Sequence, residues 1–324
     1  MKIAYISTYP PRRCGIGTYS QNLIQTVSRN LKVNSPAEHA IVIALDENQV
    51  HREYPEEVKH VIRTNHQKDY VQAARFINFT EAGICVLQHE FGIFGGEQGV
   101  YILPLIKRLQ VPLVVTFHTV LNNPSYLQKS IIREIGQVAT KVVVMSALAV
   151  RFLHDIYGIP QDKIHLIEHG VPEFDGSIQD KLKEQYGFSD RKIILTFGLL
   201  SRNKGIETVL HALPNVVQKY PEILYIILGR THPYVIEISG EEYREYLKML
   251  VKKYHLQHHV FFYDQFVSEK ELMDYLMLSD LYVTPYLSEE QITSGTLSYA
   301  IGAGSCVLST PYWHAKELLD KGRG

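Results

Sequence analysis

Tryptophan occurs once in this 324-residue chain and cysteine three times, at Cys14, Cys85 and Cys306. Cysteines so few and so far apart can build neither a disulfide framework nor a CxxC metal site, and a reducing, cytoplasmic setting is expected. Cys85 and Cys306 sit in apolar runs and read as small core residues. No stretch approaches the ~20 consecutive apolar residues of a membrane span. The apolar opening, Met1–Ile6, meets Pro10-Pro11-Arg12-Arg13 too soon to be a signal peptide. There is also no excess of charge: 33 Lys and Arg against 34 Asp and Glu leave a net charge of -1. That balance excludes the basic face of a nucleic-acid binder. A local basic pocket for a small anion remains open.

What the chain does have is alternation. Short β-branched runs are expected as strands at Ile3–Ser7, Ala40–Leu45, His60–Arg63, Ile84–Gln88, Leu113–Phe117, Val142–Met145 and His165–Ile167. A second series follows at Ile193–Phe197, Leu224–Leu228, Val260–Tyr263, Leu281–Thr284 and Cys306–Ser309. Most are apolar throughout, as parallel strands covered on both faces should be. Helical periodicity fills the gaps, for example Leu23, Ile24, Val27 and Leu31, or the run from Val209 to Tyr220, bent or restarted at Pro214. Segments 241–254 and 269–278 supply two more helices. This is a doubly wound α/β pattern repeated twice, predicting Rossmann-like domains at 1–178 and 179–324, joined through the turn-rich Gly170–Gln185 stretch. Ligands of such folds bind where strand order reverses, at the carboxyl ends of strands.

Five post-strand loops therefore carry the candidate chemistry. Gly15 and Gly17 permit close backbone approach, and Thr18 with Gln21 fits a capping box. The loop lacks the GxGxxG pattern, and Asp46 is a weak candidate for a ribose-binding acid. Gln88-His89-Glu90, followed by Phe91 and Phe94, suits a sugar-sized wall, or else is a loop with a satisfied histidine. His118 ends an apolar strand, where a cleft is expected. Arg202 and Lys204, between Gly198 and Gly205, could clamp a diphosphate before a helix N-terminus. Thr293-Ser294-Gly295-Thr296 reads as an anion-holding helix start with Ser294 as N-cap, preceded by Glu289 and Glu290.

Taken together these pieces resemble the retaining nucleotide-sugar glycosyltransferases of family 4. The resemblance runs from the Gly15/Gly17 loop through Val115–His118, Val144–Ser146, Ile167–Val171 and Phe197–Gly205 to Leu281–Pro285 and Ala300–Val307. It implies a GT-B fold of two facing Rossmann-like domains. It also implies transfer of a hexose such as mannose or glucose, with retention, from a nucleoside diphosphate sugar to a carbohydrate or lipid-linked acceptor. His118, Glu290, Arg202 and Lys204 would be catalytic. Gly198, Glu289, Gln291, Thr293, Ser294, Gly295, Thr296 and Tyr299 would bind the donor. Gly15, Gly17, His89 and Glu90 would face the acceptor. No cofactor or metal is implied, since cationic side chains and helix dipoles would carry the leaving charge. Peripheral membrane association and oligomeric state stay open.

Three departures stand out. Gln291 and Tyr299 occupy positions where relatives carry two glutamates, Leu199 stands where an arginine is usual, and the chain ends at Gly324, where relatives continue. A truncated form is therefore expected. The alternatives are a non-catalytic binding module, or another GT-B enzyme such as an epimerase or phosphorylase.

Overall fold

The computed structural model describes residues 1–47, 52–174, 178–231 and 233–324. It divides into two compact units, Met1–Glu168 and His169–Gly324. The division falls ten residues before the expected 178/179 boundary, and Asp175, Gly176 and Ser177 lie outside the described residues. The reason for the earlier division is packing. Phe174 joins the core of the second unit, and a Cβ on Gly302 would lie 2.6 Å from Val171.

The first unit holds β1 (Lys2–Ser7), β2 (Ala40–Asp46), β3 (Val58–Arg63), β4 (Ala82–His89), β5 (Leu113–Phe117), β6 (Lys141–Val144) and β7 (Ile164–Leu166). Its helices are α1 (Gly15–Leu31), α2 (Gln67–Phe79), α3 (Ile102–Ile106), α4 (Tyr126–Val138) and α5 (Ala147–Asp155). All seven strands are parallel, in the order β3-β2-β1-β4-β5-β6-β7. Every residue of β2 is buried, which is why its sequence is an unbroken apolar run closed by Asp46. The edge strand β3 instead alternates burial and exposure over most of its length.

The second unit holds α6 (Gln179–Gln185), β8 (Lys192–Phe197), α7 (Ile206–Lys219), β9 (Ile223–Leu228), α8 (Pro233–Ser239), α9 (Glu242–Lys253) and β10 (Val260–Tyr263). It continues through α10 (Glu269–Leu278), β11 (Leu281–Thr284), α11 (Gly295–Gly302), β12 (Val307–Ser309) and α12 (Trp313–Leu318). The five strands run parallel in the order β10-β9-β8-β11-β12. Two apolar layers cover the sheet: Ile193, Leu195, Ile226 and Leu228 point to one, Tyr225 and Ile227 to the other.

Three local expectations are corrected. Helix α7 runs as one element through Pro214, with no restart. Helix α1 begins at Gly15 with Cys14 as its N-cap, so Thr18 is inside the first turn, its hydroxyl 3.4 Å from the Cys14 carbonyl, and no Thr18–Gln21 capping box forms. Cys306 is exposed at the turn before β12 rather than in the core, whereas Cys85 is buried in β4.

Candidate functional site

In both sheets the order reverses once, and each reversal opens a crevice at the carboxyl ends of two adjacent strands. In the first unit it falls between β1 and β4, in the second between β8 and β11.

Around the first crevice, Gly15 opens α1 with no heavy atom within 4 Å of its Cβ direction, while Gly17 is buried beneath the Tyr9–Arg12 turn. Tyr19, one turn further, meets the His118 ring edge-on, with centroids 4.9 Å apart. His118 directly follows β5, and its Nε2 donates to the Gln88 side-chain oxygen at 2.9 Å. Glu90 follows β4 and accepts from the Thr119 hydroxyl at 2.5 Å and the Phe91 amide at 2.9 Å. Burial raises the Glu90 carboxyl above its ordinary range, although those two bonds work against the shift.

His89 departs from its expected role. It is 0% exposed and enclosed by the rings of Phe91, Phe94 and Phe117, and neither ring nitrogen has a hydrogen-bond partner. Burial drives its pKa down to about 3. A ring so enclosed belongs to the core and offers no contact to an acceptor. Asp46 is likewise engaged, receiving Arg52 at 3.1 Å and the Tyr54 hydroxyl at 2.8 Å, which removes it as a ribose ligand.

The second crevice is built by two loops that lock together. The Asn203 carbonyl accepts from the Leu287 amide, and its side-chain oxygen accepts from the Ser288 amide, both at 2.9 Å. Gly205 has φ +60, and a Cβ there would lie 2.2 Å from the Pro285 carbonyl oxygen, so only glycine lets the loops approach this closely. At this junction the Lys204 ammonium donates to the Tyr286 hydroxyl at 2.6 Å and lies 3.9 Å from that ring's centroid. The same hydroxyl is 3.0 Å from Thr296 Oγ1, itself 3.1 Å from Ser294 Oγ.

Ser294 is the N-cap of α11 and accepts from the Leu297 amide at 3.3 Å. Its own amide donates to His314 Nδ1 at 2.9 Å, which fixes the start of the helix. Gly198 directly follows β8, and a Cβ built there would lie 3.4 Å from the Thr296 methyl. Burial alone would raise the Tyr286 phenol, but the Lys204 charge and the bonds to Lys204, Thr296 and Ser294 outweigh it and bring the phenol below its ordinary value.

The structure thus gathers Gly198, Lys204, Ser294, Gly295 and Thr296. It does not gather the rest. Arg202 turns away to pair with Glu242 at 2.5 Å and lies over the rings of Tyr243 and Tyr246, because the turn that aims Lys204 inward aims Arg202 toward α9. Glu289 pairs with Lys316, and Glu290 is exposed, bonded through its amide to Ser288 Oγ at 3.2 Å. Gln291 spends its amide on the Thr293 carbonyl, and Tyr299 packs edge-on against His169, centroids 5.9 Å apart. Tyr286, Tyr312 and His314 were missed in the sequence. The repeated Tyr and His near a Ser/Thr/Gly helix start were the available signal, but nothing in the spacing shows that Tyr312 stacks on Tyr286.

Among the described residues no three His, Cys, Asp or Glu side chains cluster as a metal site, and no helix is long and apolar enough to cross a membrane.

Comparison with known proteins adds an independent finding. The family model described as Glycosyltransferase Family 4 matches residues 39–173, and that described as Glycosyl transferases group 1 matches residues 178–321. Spore coat protein SA of Bacillus subtilis is 24% identical over 146 residues, 45% of this chain and 37% of that protein. The putative glycosyltransferase YtcC of the same organism is 24% identical over 134 residues, 41% of this chain and 31% of that one. The chain thus matches about a third of the length of these curated relatives. Among solved structures, HepE of Anabaena superposes with a TM-score of 0.73 at 16% identity, covering 99% of this chain and 84% of that one. At such identity the likeness concerns the fold, which is GT-B.

Proposed function

Because the chain belongs to the group 1 and family 4 glycosyltransferases, we propose that it moves a hexose from a nucleoside diphosphate sugar to a carbohydrate or lipid-linked acceptor, with retained anomeric configuration. The observation that carries this reading is the joined cluster of Lys204, Tyr286, Thr296 and Ser294 at the β8/β11 crevice. A cation there faces the first turn of α11, whose orphan N–H groups at Gly295 and Thr296 favour an anion. HepE, the structural relative, was crystallised with UDP and with UDP-glucose, which makes uridine diphosphate sugars the first donors to test.

In this reading the bond from the sugar's anomeric carbon to the diphosphate breaks, and its electron pair leaves with the phosphate oxygen. Lys204 and the α11 amides stabilise that developing charge, so no divalent ion is needed. Such preorganised donors contribute roughly 3–4 kcal/mol each. The acceptor oxygen bonds to the same carbon and gives its proton to the departing phosphate. In the first unit, His118, anchored through Gln88 and Tyr19, and Glu90 with Thr119 offer hydrogen-bonding groups beside the β1/β4 crevice, which in this reading serves the acceptor.

The test is a thermal-shift screen with UDP, GDP, ADP and their sugars, followed by assay of released nucleotide. A true donor at a hundred times its Kd should add about 2.7 kcal/mol of stability. Lys204→Ala should lower turnover by at least about tenfold, the loss of a single charge-stabilising donor. No stabilisation by any nucleotide would overturn the reading. One observation favours a second reading, a binding module without turnover: Glu290 takes no part in the cluster. Nucleotide binding without sugar release would establish that alternative.

A further inference from the structure

Lys204 owes its place in the crevice to one side chain. Its backbone is held in the locked turn, with its amide bonded to the Ser201 carbonyl at 2.9 Å, but that turn fixes only where the side chain starts, and its neighbours Arg202 and Asn203 are exposed. Four rotatable bonds separate the ammonium from that turn, and an untethered lysine would spread over many solvent-facing rotamers. Among the described residues no carboxylate pairs with it. Its bond is to the Tyr286 hydroxyl, and the same ring lies beneath the ammonium.

Tyr286 cannot move in the same way. It is 4% exposed and lies two residues after β11, beyond Pro285. Its ring stacks on Tyr312 with centroids 4.9 Å apart and planes 18° from parallel, and Tyr312 is pinned by a 3.2 Å bond to Thr284. The hydroxyl therefore stands at a fixed point, with Lys204 on one side and Thr296 of α11 on the other.

We propose that Tyr286 is the positioning residue for Lys204, holding its ammonium beside the first turn of α11 before any anion arrives. The inference rests on the anion-site reading of this crevice given above. Its chemical logic lies in what a neutral phenol can do and a carboxylate cannot. The phenol oxygen accepts one ammonium N–H and shares a second hydrogen bond with the Thr296 hydroxyl, while the ring face adds a cation–π attraction. The lysine is held, yet its charge is not cancelled, and two of its three N–H donors stay available for a phosphate. A carboxylate in the same place would hold the lysine and neutralise it.

The deciding variant is Tyr286→Phe, which keeps the stack on Tyr312 and removes only the hydroxyl. Two measurements are made on the full chain, with thermal unfolding confirming that the variant is folded. In the first, without ligand, the rate at which an acetylating reagent modifies Lys204 is read by peptide mass spectrometry, with exposed Lys252 as internal reference. Release of the ammonium should raise the Lys204 rate severalfold. In the second, donor turnover is compared in Tyr286→Phe, Lys204→Ala and the double variant. Loss of a charge-assisted bond predicts a fall in kcat of about tenfold to a hundredfold with a smaller change in KM. The double variant should be no worse than Lys204→Ala alone, since Tyr286 acts through the lysine. Unchanged Lys204 labelling in a folded variant, or losses that multiply in the double variant, would overturn the inference. If no nucleoside diphosphate sugar serves the wild type, the functional reading fails, and the labelling result still decides whether Tyr286 holds the lysine.

Discussion

Acidification should weaken the first unit through one buried ring. His89 has no exposed surface and no hydrogen-bond partner for either nitrogen, and its pKa falls to about 3 because the charged form would lose its hydration among Phe91, Phe94 and Phe117. In the unfolded chain the same ring titrates near its ordinary value, about 6.5. Between these two values the unfolded state binds a proton that the folded state refuses, so stability rises with pH there and falls on acidification. Taking the protein from about pH 7.5 to about pH 5 should therefore cost about 2 kcal/mol from this residue alone.

The perturbation that isolates it is His89→Leu, which fills the cage with a similar volume and cannot titrate. The only tryptophan, Trp313, belongs to the second unit, so its fluorescence does not report on the region concerned. Amide hydrogen exchange at β4 and β5 does. Wild type should lose about 2 kcal/mol more protection than the variant over that pH interval, because other histidines contribute equally to both. Parallel losses in the two proteins would refute the reasoning and return His89 to a hydrated, ligand-facing position.

Other outcomes follow from the second unit. Gly205→Ala forces a side chain into left-handed backbone 2.2 Å from the Pro285 carbonyl, and should cost roughly 1–3 kcal/mol and weaken nucleotide binding. Trp313 fluorescence during thermal unfolding checks the first effect and calorimetry the second; a neutral result in both would mean the loops are not locked as described. Asp280→Asn removes the partner of Lys183, a 2.6 Å pair with Lys183 only 6% exposed, and should destabilise by roughly 2–4 kcal/mol in urea unfolding. Burial would raise the Asp280 carboxyl, but Lys183 and the Ile193 amide outweigh it and hold it below the ordinary aspartate value. The wild-type pair therefore stabilises above the usual aspartate range and is lost as pH falls through the lowered value, whereas the variant should lack that acid limb.

Every strand expected from the apolar runs is present to within about two residues, because a parallel strand buried on both faces has to be a short, continuous apolar segment, and periodicity records burial. Ser294 as a helix cap was equally legible, since capping is chemistry between neighbours in the chain. Strand order was not legible, and it alone brings the loop after β8 beside the loop after β11, which lie some eighty residues apart. The same limit explains Arg202 and His89. Both residue types in both loops suit a ligand, but one points along the turn toward Glu242 and the other is sealed among three phenylalanines. Local composition sets which segments become strands and helices. Which side chains then meet depends on long-range packing, and a side chain's direction, burial and charge environment come into being only when distant segments close around it.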